Sequence, residues 1–460
     1  MKNLVIQAQR LGDIVMSYPL FTWLKSQDTK EILVLGEKKF YDELLNISPQ
    51  VTYIPTERMD FLKNFTYDTI INLSHRIDTA NLASNLTYNN YFGLEIKNSI
   101  KKVHGNWQLY RTSLTHNNHY NRFHWADLNA LDIINTNTIK NTKWEKPLGQ
   151  HNGKIGIFVG ASEEAKRPSN EFWGDLAIQL CKKGYSPIFI SGPSDEEKRI
   201  AYQCAKKAKI PHGVIPGNFS IYELIAFLQT LQLFITPDTG PMHIASFANV
   251  PTLNISLGPV HPWETAPYPP HHYIMRSAIS CSGCWQCTKQ TQLCRNAFIP
   301  HRIANLVHAL LTNKTLPNIP NIILYKSSRN ALGLYELEYI KGQKGYHDLQ
   351  ANFWRYFFLK ELSQPNTLFD NEYKKSKEAL FTSLPKLCGL LQKEHLKLIK
   401  TLLIAEKFNS SLDKYAWKEY SPFMRPLTSY TQLFIENNSY SKESLTKVME
   451  ILENFRSAIL

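Results

Sequence analysis

Short apolar runs alternate with helical patterns along the first part of the chain. The runs at Asn3–Ile6, Glu31–Leu35 and Thr69–Leu73 have the length and composition of buried strands. A helical pattern over Ser17–Lys25 follows the first of them. Alternation of strands and helices predicts a mostly parallel sheet with helices on both faces. Residues 134–153 are rich in Asn and Thr and lack periodicity, which is typical of a linker.

A second alternation of the same kind begins at Lys154. The pattern predicts strands at Ile155–Val159, Pro187–Ile190, Leu233–Thr236 and Thr252–Ser256. It predicts helices at Phe172–Lys183, Asp195–Lys207, Leu224–Leu231 and Gly240–Ala248. Two alternating units in tandem predict an α/β protein with two Rossmann-like domains, over residues 1–150 and 151–325.

The last part of the chain has a different pattern. From about Leu334 onward, helical spacing with many aromatic residues predominates and strand signals are scarce. The helical patterns lie at Tyr346–Leu362, Tyr373–Leu391, Lys393–Ala405 and Lys442–Ser457. The sequence therefore predicts a helical extension over residues 326–460. It carries no chemical motif, and we interpret it as a module for packing or for association with a second copy.

The composition is that of a globular protein with more than one domain. A chain of 460 residues is too long for one ordinary hydrophobic core, and an apolar fraction of 43% excludes wholesale disorder. No apolar run reaches the roughly 18 residues that span a bilayer. Gln7, Gln9 and Arg10 interrupt the short apolar patch near the amino terminus, which favours a buried strand over a secretory signal. We therefore expect a cytoplasmic protein.

The net charge of +13 narrows the class of partner. A basic surface attracts nucleic acid, anionic lipid or phosphorylated small molecules. The sequence has no run of five Lys or Arg residues and no helix-turn-helix or RNA-recognition signature, so nucleic acid is not expected as a partner. Phosphorylated small molecules and a peripheral contact with the inner face of the cell membrane remain open.

The first motif with chemical content, Gln9–Val15, directly follows the first predicted strand. Gly12 permits close approach of backbone or ligand, and Asp13 lies at the carboxyl end of a strand, where open α/β sheets bind ligands. Asp13 could instead do no more than cap the helix that follows. The three-glycine fingerprint of dinucleotide binding is absent from this segment.

The second motif, Thr236–Ala245, follows another predicted strand and opens a helix. The N–H groups and the dipole at a helix start favour a phosphate group. Thr239 adds a hydroxyl donor, Gly240 permits close approach, and His243 lies one turn into the helix. The alternative is an ordinary capped helix with a histidine in the core.

In this order, the two motifs resemble the signatures of glycosyltransferase family 9, which contains the bacterial ADP-heptose:lipopolysaccharide heptosyltransferases. The family pattern has Arg, then Leu-Gly-Asp, near the amino terminus. Later it has Asp-Thr/Ser-Gly, two residues, His, an Ala-rich helix, and a strand ending at Gly-Pro, here Gly258-Pro259. The resemblance covers roughly residues 1–315. It implies the GT-B fold, in which two Rossmann-like domains face a cleft.

The resemblance also implies an activity and a set of site residues. Family members are inverting transferases that need no metal at the reacting centre, which implies transfer of a sugar from ADP-heptose to a lipopolysaccharide-core or related glycan. Asp13 matches the base that removes the acceptor proton. The positions that match donor-binding residues are Lys166, Glu196, Asp238, Thr239, Gly240 and His243. Arg167 is the rival of Lys166, and Glu197 is the rival of Glu196. Glu196 could also be an exposed acid in a first helical turn.

Four cysteines form the pattern C-x2-C-x2-C-x6-C, at Cys281, Cys284, Cys287 and Cys294. Thiolates at these spacings can enclose one tetrahedral ion, and a cytosolic chain keeps its thiols reduced. The sequence therefore predicts a structural Zn or Fe site, and the spacing does not separate the two metals. A [4Fe–4S] cluster has less support. Comparable clusters occur in a family subgroup that resembles the autotransporter heptosyltransferases, which makes protein the alternative acceptor.

The loop before the cysteines carries two aromatic residues, Trp263 and Tyr268. They could shape the donor pocket, or they could be packed loop aromatics. Two other functions also remain open for the whole chain. A nucleotide-sugar epimerase can share the GT-B fold, and it would consume a sugar nucleotide without an acceptor. A non-catalytic scaffold would suit the helical extension and the cysteines, but it does not need Asp13, Lys166 and His243 together.

Overall fold

The computed structural model describes residues 2–27, 31–281, 284–408 and 411–460. Six strands of this part form the first sheet. In spatial order they are β3 (Thr52–Pro55), β2 (Glu31–Gly36), β1 (Lys2–Ile6), β4 (Thr66–Asn72), β5 (Thr87–Lys97) and β6 (Ile100–His104). Neighbouring strands are parallel except β5 and β6, which form an antiparallel hairpin. The strand order changes direction beside β1, and this creates a crevice at the carboxyl end of that strand.

The helices of the first half surround this sheet. They are α1 (Leu11–Met16), α2 (Tyr18–Lys25), α3 (Lys38–Tyr41), α4 (Ile77–Ser84), α5 (Asn106–Ser113), α6 (Trp125–Leu128) and α7 (Thr136–Lys140). Most of β1 is buried, which agrees with a continuous apolar run covered on both faces. The helix predicted at Ser17–Lys25 corresponds to α2, and α1 is an additional short helix that ends at Met16.

The second sheet has eight strands among the described residues. In spatial order they are β14 (Tyr335–Lys341), β13 (Ile322–Arg329), β12 (Tyr273–Ser277), β11 (Thr252–Ser256), β10 (Leu233–Pro237), β7 (Lys154–Phe158), β8 (Ser186–Ile190) and β9 (Val214–Ile215). The pairs β12–β13 and β13–β14 are antiparallel and the others are parallel. The order changes direction between β7 and β10, so the loops after these two strands meet at one crevice.

The remaining helices cover the second sheet and the carboxyl-terminal part. On the second sheet they are α8 (Asn170–Cys181), α9 (Asp195–Lys207), α10 (Ile221–Leu228), α11 (Gly240–Phe247), α12 (Pro262–Thr265) and α13 (Pro300–Leu311). The carboxyl-terminal helices are α14 (Tyr346–Leu362), α15 (Thr367–Ser383), α16 (Leu387–Phe408), α17 (Arg425–Asn437) and α18 (Lys442–Ile459). No helix of the described segments is long and apolar enough to cross a bilayer.

The carboxyl-terminal part packs against both halves of the molecule. The hairpin β13–β14 extends the second sheet to Lys341, so the sheet continues past the predicted boundary at residue 326. Buried aromatic side chains of α14 form the centre of the helical part, where Trp354 stacks on Phe455. On the other side, Asn437 exchanges two hydrogen bonds with the backbone of Val103 on β6.

The predicted fold class is confirmed. Two Rossmann-like sheets face a common cleft, which is the GT-B architecture, and helices α14–α18 follow at the carboxyl end. The crevice after β1 and the crevice after β7 and β10 open onto this cleft. Side chains of both predicted motifs therefore come from different sheets to one place.

Candidate active site

A central cavity of about 560 Å³ lies where the crevices of the two sheets meet. Its walls include Gly12 and Asp13 from the first motif and Lys166 from the loop after β7. The second motif contributes Asp238, Thr239, Gly240 and His243. The structure thus brings together seven residues that the sequence singles out from three distant segments, and it leaves Glu196 outside this group.

The two motifs also contact each other directly. A Cβ atom on Gly12 would lie 3.1 Å from Cδ2 of His243, and a Cβ on Gly240 would lie 3.3 Å from Cδ2 of Leu11. Both distances are shorter than ordinary carbon contacts, so a side chain at either glycine would displace its neighbour. The absence of a Cβ lets the start of α1 and the start of α11 pack against each other at the cavity.

Asp13 lies in the first turn of α1 and on the wall of the central cavity. Arg10, not Asp13, is the N-cap residue, and one oxygen of Asp13 accepts a hydrogen bond from the Arg10 N–H at 3.1 Å. Burial raises the pKa of Asp13, and the guanidinium of Arg111 counteracts part of that rise. Asp13 therefore contributes to capping from inside the helix while its carboxyl group faces the cavity.

Helix α11 presents its amino end to the same cavity. Thr239 is the N-cap, and its hydroxyl lies 3.3 Å from that of Thr236. Pro241 has no N–H, so the N–H groups of Thr239 and Gly240 form the donor edge of this helix start. Burial lowers the pKa of His243 to about 4, so its imidazole is neutral at pH 7. Its Nδ1 has no hydrogen-bond partner among the described residues.

Asp238 and Lys166 both line the central cavity. Burial raises the pKa of Asp238 to about 6, although the Thr265 hydroxyl donates a hydrogen bond to it and Lys166 attracts it. The Lys166 ammonium lies 2.9 Å from Glu163 and 3.3 Å from the Ser162 hydroxyl. Arg167, the rival cation, does not line the cavity.

A second cavity of about 400 Å³ continues from the first one past Thr239 and Gly240. Its walls are mainly apolar and include Phe158, Ile190, Phe219, Ile221 and Leu224. An apolar pocket that adjoins a helix start suits a planar base with a phosphate group at one end. We call the two spaces the central cavity and the apolar cavity.

Glu197, and not the predicted Glu196, lines the apolar cavity. The Glu196 side chain is 67% exposed and pairs with Arg167. Ser194 caps α9, and its hydroxyl donates a hydrogen bond to Glu197 at 2.7 Å. An acid at the third helical position folds back over the cap in this way, whereas the second position faces solvent. The structure thus places Glu197, the rival candidate, at the apolar cavity and Glu196 at the surface.

Two glycines make room for Glu197. A Cβ on Gly160 would lie 1.9 Å from a carboxylate oxygen of Glu197, and a Cβ on Gly192 would lie 2.4 Å from the other. Both glycines follow strands of the second sheet. The sequence signals for Glu197 are these two glycines and Ser194, the helix cap that lies three residues before Glu197.

The sequence did not identify Glu264, which lines the central cavity and is 4% exposed. Its two carboxylate oxygens accept hydrogen bonds from Asn118 at 2.7 Å and Asn121 at 3.0 Å. Burial raises the pKa of Glu264 to about 7, and these two bonds and the Arg111 guanidinium limit the rise. Arg111 acts on both Asp13 and Glu264, so it links these two acids electrostatically.

Trp263 and Tyr268, the two aromatic residues of the loop before the cysteines, do not line the central cavity. Tyr268 is fully buried, and its hydroxyl donates to Asp127 at 2.7 Å. Trp263 is also buried and carries the guanidinium of Arg122 over its ring at 4.7 Å. Their interpretation as packed aromatics fits the structure. His261 and Thr265 of the same loop face the central cavity instead.

The four cysteines lie beside the second sheet in different environments. Cys294 is buried, Cys284 is half-buried, and Cys281 and Cys287 are exposed. Burial raises the pKa of Cys284, and the neighbouring Arg276 guanidinium lowers it. Over the described part of the chain, no three His, Cys, Asp or Glu side chains are arranged to hold a metal ion. The structure therefore does not bring these thiols into a ligand set.

Comparison with known proteins gives a consistent match. The model of glycosyltransferase family 9 (heptosyltransferase) matches residues 59–294. Lipooligosaccharide heptosyltransferase 2 of Campylobacter jejuni is 28% identical over 181 residues, which are 38% of this chain and 56% of that protein. The match thus spans little more than half of that relative.

Two solved structures are also similar. ADP-heptose lps heptosyltransferase II of E. coli is 18% identical, with a TM-score of 0.48, and the match covers 68% of this chain and 99% of that one. The dodecameric iron-containing heptosyltransferase TibC of E. coli is 13% identical, with a TM-score of 0.40, over 68% of this chain and 77% of that one.

Proposed function

The chain belongs to glycosyltransferase family 9, and we propose that it transfers a heptose from ADP-heptose to a hydroxyl of a lipopolysaccharide-core or related glycan. One observation carries this proposal. The carboxyl group of Asp13 and the start of α11 line the same cavity although they belong to different sheets. A base and a phosphate-binding helix start that share one cavity suit sugar transfer from a nucleotide.

The two cavities suit the two ends of the donor. The nucleoside lies in the apolar cavity, where Glu197 accepts a hydrogen bond from a ribose hydroxyl. The diphosphate lies at Thr239 and Gly240, which line both cavities. The sugar then lies in the central cavity near Asp238 and Glu264, whose carboxyl groups suit sugar hydroxyls.

Asp13 is the residue that we assign as the general base. In an inverting displacement, the base takes the proton of the acceptor hydroxyl as that oxygen attacks the anomeric carbon. The bond between that carbon and the diphosphate oxygen breaks on the opposite face. Burial raises the pKa of Asp13 and so makes it more basic than an exposed carboxylate, while the Arg111 guanidinium favours its charged form. These are the properties that a base needs.

The leaving diphosphate gains negative charge as this bond breaks. The N–H groups at the start of α11 are fixed before the reaction, and so they stabilise that charge without reorganisation. Lys166, which also lines the central cavity, adds a positively charged group. His243 is neutral, which suits a hydrogen-bond donor better than a proton carrier. This arrangement needs no metal at the reacting centre.

With Asp13 as the base and α11 at the diphosphate, the two domains bind different substrates. Residues 1–150 hold the acceptor beside Asp13, and residues 151–325 hold the donor. The carboxyl-terminal part, residues 326–460, supports both and is the candidate surface for association with a second copy. Location in the cytoplasm, with contact to the inner face of the membrane, agrees with an acceptor that is a glycolipid.

The four-cysteine pattern supports a structural Zn or Fe ion. Cys281, Cys284, Cys287 and Cys294 have the chemistry of a thiolate ligand set, but their present arrangement does not fit an ion. No step of the proposed reaction uses this metal. The pattern also favours the second candidate acceptor, a protein hydroxyl, because it resembles the subgroup that modifies autotransporters.

The direct test is incubation of the purified protein with ADP-heptose, GDP- and UDP-sugars, with and without a lipopolysaccharide-core acceptor. We expect release of ADP from ADP-heptose only when the acceptor is present, with a product of inverted anomeric configuration. Change of the sugar nucleotide in the absence of acceptor would indicate an epimerase. No binding of any sugar nucleotide would indicate a scaffold. Both results would contradict the proposal.

A further inference from the structure

A third cavity of about 340 Å³ lies away from the assigned donor and acceptor positions. It forms where the segment around Arg122 meets the loop before α12, the hairpin β13–β14 and the start of α14. We call it the Arg122 chamber. Its charged and titratable walls include Arg122, Arg276, Asp348, His119, His261 and His347. His261 also lines the central cavity, so the two spaces share a wall.

The chamber holds two buried guanidinium groups and, among its described walls, one carboxylate. Arg122 and Arg276 are each 3% exposed. Arg122 pairs with Asp348 at 3.0 Å. Asp348 also accepts hydrogen bonds from the Tyr339 hydroxyl at 2.7 Å and the Gly345 N–H at 2.8 Å. Arg276 donates hydrogen bonds to the Ser256 hydroxyl at 3.5 Å and to the Gly258 carbonyl at 2.9 Å, which are both neutral groups. Asp348 thus offsets one of the two guanidinium charges, and the formal charge of the described chamber walls is positive.

Two side-chain nitrogen atoms of the chamber are buried without a partner among the described residues. Arg122 Nε and His261 Nδ1 have no hydrogen-bond partner among the residues that the structure describes. His347, in contrast, accepts from Arg122 at 3.3 Å and donates to the His119 carbonyl at 2.9 Å. Buried polar atoms normally have a partner, and those that lack one mark places where a ligand or water supplies it.

Two histidines of the chamber, His261 and His347, have lowered pKa values. Burial and the charges of Arg122 and Arg276 hold the pKa of His261 well below its usual range. Burial and Arg122 also lower the pKa of His347 to about 3. Burial is the larger cause of both shifts, and the contribution of the arginines agrees with the positive formal charge of the chamber walls.

We propose that the Arg122 chamber binds the phosphate or carboxylate group of a sugar-sized anionic ligand. Guanidinium groups form strong, directional hydrogen bonds with both kinds of anion. The volume is in the range of small-molecule pockets, and Tyr325, Gln343 and Gln350 line the space beside the charges. The ligand is either a charged substituent of the acceptor, which reaches past His261, or a free phosphorylated metabolite.

Glucose 6-phosphate is the probe for this site. The full-length protein is first saturated with ADP, so that the start of α11 is occupied, and then titrated calorimetrically with glucose 6-phosphate or with glucose. We expect saturable binding of the phosphate and none of the neutral sugar. Arg122→Gln should weaken binding by roughly tenfold or more, since a charge-assisted bond is lost.

A second variant keeps the test valid if Arg122→Gln does not fold. Gln350→Glu leaves the buried ion pair intact and places a like charge on the chamber wall, so it should weaken binding similarly. Lys374→Gln makes the same charge change as Arg122→Gln at an exposed position on α15 and should leave the affinity unchanged. Equal binding of glucose, no binding of glucose 6-phosphate, or unchanged affinity in Gln350→Glu would overturn the proposal.

Turnover measurements separate the two sources of the anion. Competition between glucose 6-phosphate and the glycan acceptor would assign the chamber to a charged substituent of the acceptor. A change in turnover without competition would assign it to a free metabolite, and either result supports an anion site. Failure of ADP to bind would contradict the proposed function but not this proposal, because the chamber variants report on the chamber alone.

Discussion

The imidazole of His243 lies against Gly12, where an added Cβ atom would stand 3.1 Å from Cδ2 of the ring. Gly12 precedes the proposed base, and His243 lies beside the proposed diphosphate position. The contact therefore fixes the distance between the proposed base and the proposed diphosphate position. A substitution in the first motif should therefore change the affinity for a ligand that binds to the second motif.

This contact gives the first expectation. Gly12→Val should push the His243 ring away from the helix start and weaken ADP binding by roughly tenfold, about the effect of one lost hydrogen bond to a charged group. Calorimetric titration of ADP measures this change. Gly389→Ala is the control, because a Cβ at Gly389 meets no neighbour within 4 Å. It should leave ADP affinity unchanged and stabilise α16 by about 0.5–1 kcal/mol.

The two neighbouring acids of α9 should differ in their effect on nucleotide binding. Glu197→Gln removes the carboxylate that lines the apolar cavity, and we expect it to weaken ADP and adenosine binding by roughly tenfold. Glu196→Gln removes an exposed carboxylate and should change affinity by less than about twofold. Equal losses in the two variants would contradict the placement of the nucleoside.

The location of the two motifs could be predicted because local patterns determine it. Each motif follows an apolar strand that the sequence identifies, and the carboxyl end of a central parallel strand lies where ligands bind. The position of Asp13 follows in this way, as does that of Thr239. It is harder to predict which residue of a helix faces the site and which faces solvent, because this depends on which residue caps the helix. The choice between Glu196 and Glu197 depends on this property.

Other features depend on contacts that are distant in sequence. Glu264 owes its burial to Asn118 and Asn121, which lie in an irregular segment of the other half, and no periodic pattern signals that pairing. Strand β5 has one partly exposed face and polar residues, so it lacks a continuous apolar run. The hairpin β13–β14 is mixed in the same way, which is why the second sheet extends into the predicted helical extension.

Glu264 should make stability depend on pH. Burial raises its pKa to about 7 in the folded protein from an ordinary value of 4.5. Between these values the folded state binds more protons than the unfolded state, so stability should fall as pH rises through this window and level off above it. Asp238 adds a similar fall that ends near pH 6.

Replacement of the acid isolates its contribution. Glu264→Gln cannot ionise, so it should lose less stability than the wild type between pH 5 and 8, by roughly 1–3 kcal/mol. Chemical denaturation at several pH values measures this difference. Parallel curves for the two proteins would show that Glu264 has an ordinary pKa.

The cysteine pattern gives an expectation about metal content. The purified, reduced protein should carry close to one Zn or Fe ion per chain, and Cys284→Ser should lose most of it. Cys388→Ser removes a thiol on α16, outside the pattern, and should retain the metal. Elemental analysis measures the metal content of the wild type and of both variants. Near-zero metal in the wild type would mean that the four thiols are free.

The role of Asp13 is the central claim. Asp13→Asn preserves the size of the side chain but cannot take a proton. We expect it to bind ADP with unchanged affinity and to lose transfer by about two to four orders of magnitude, the range for removal of a general base. Asp60→Asn, at an exposed position on the first half, is the matched control and should retain full activity.

The most direct measurement is the rate of ADP release from ADP-heptose in the presence of acceptor, for the wild type and Asp13→Asn at equal donor occupancy. The account predicts a loss of at least about a hundredfold in the variant, with the donor still bound. A rate within roughly threefold of the wild type would contradict it. Asp13 would then serve only the Arg10 cap.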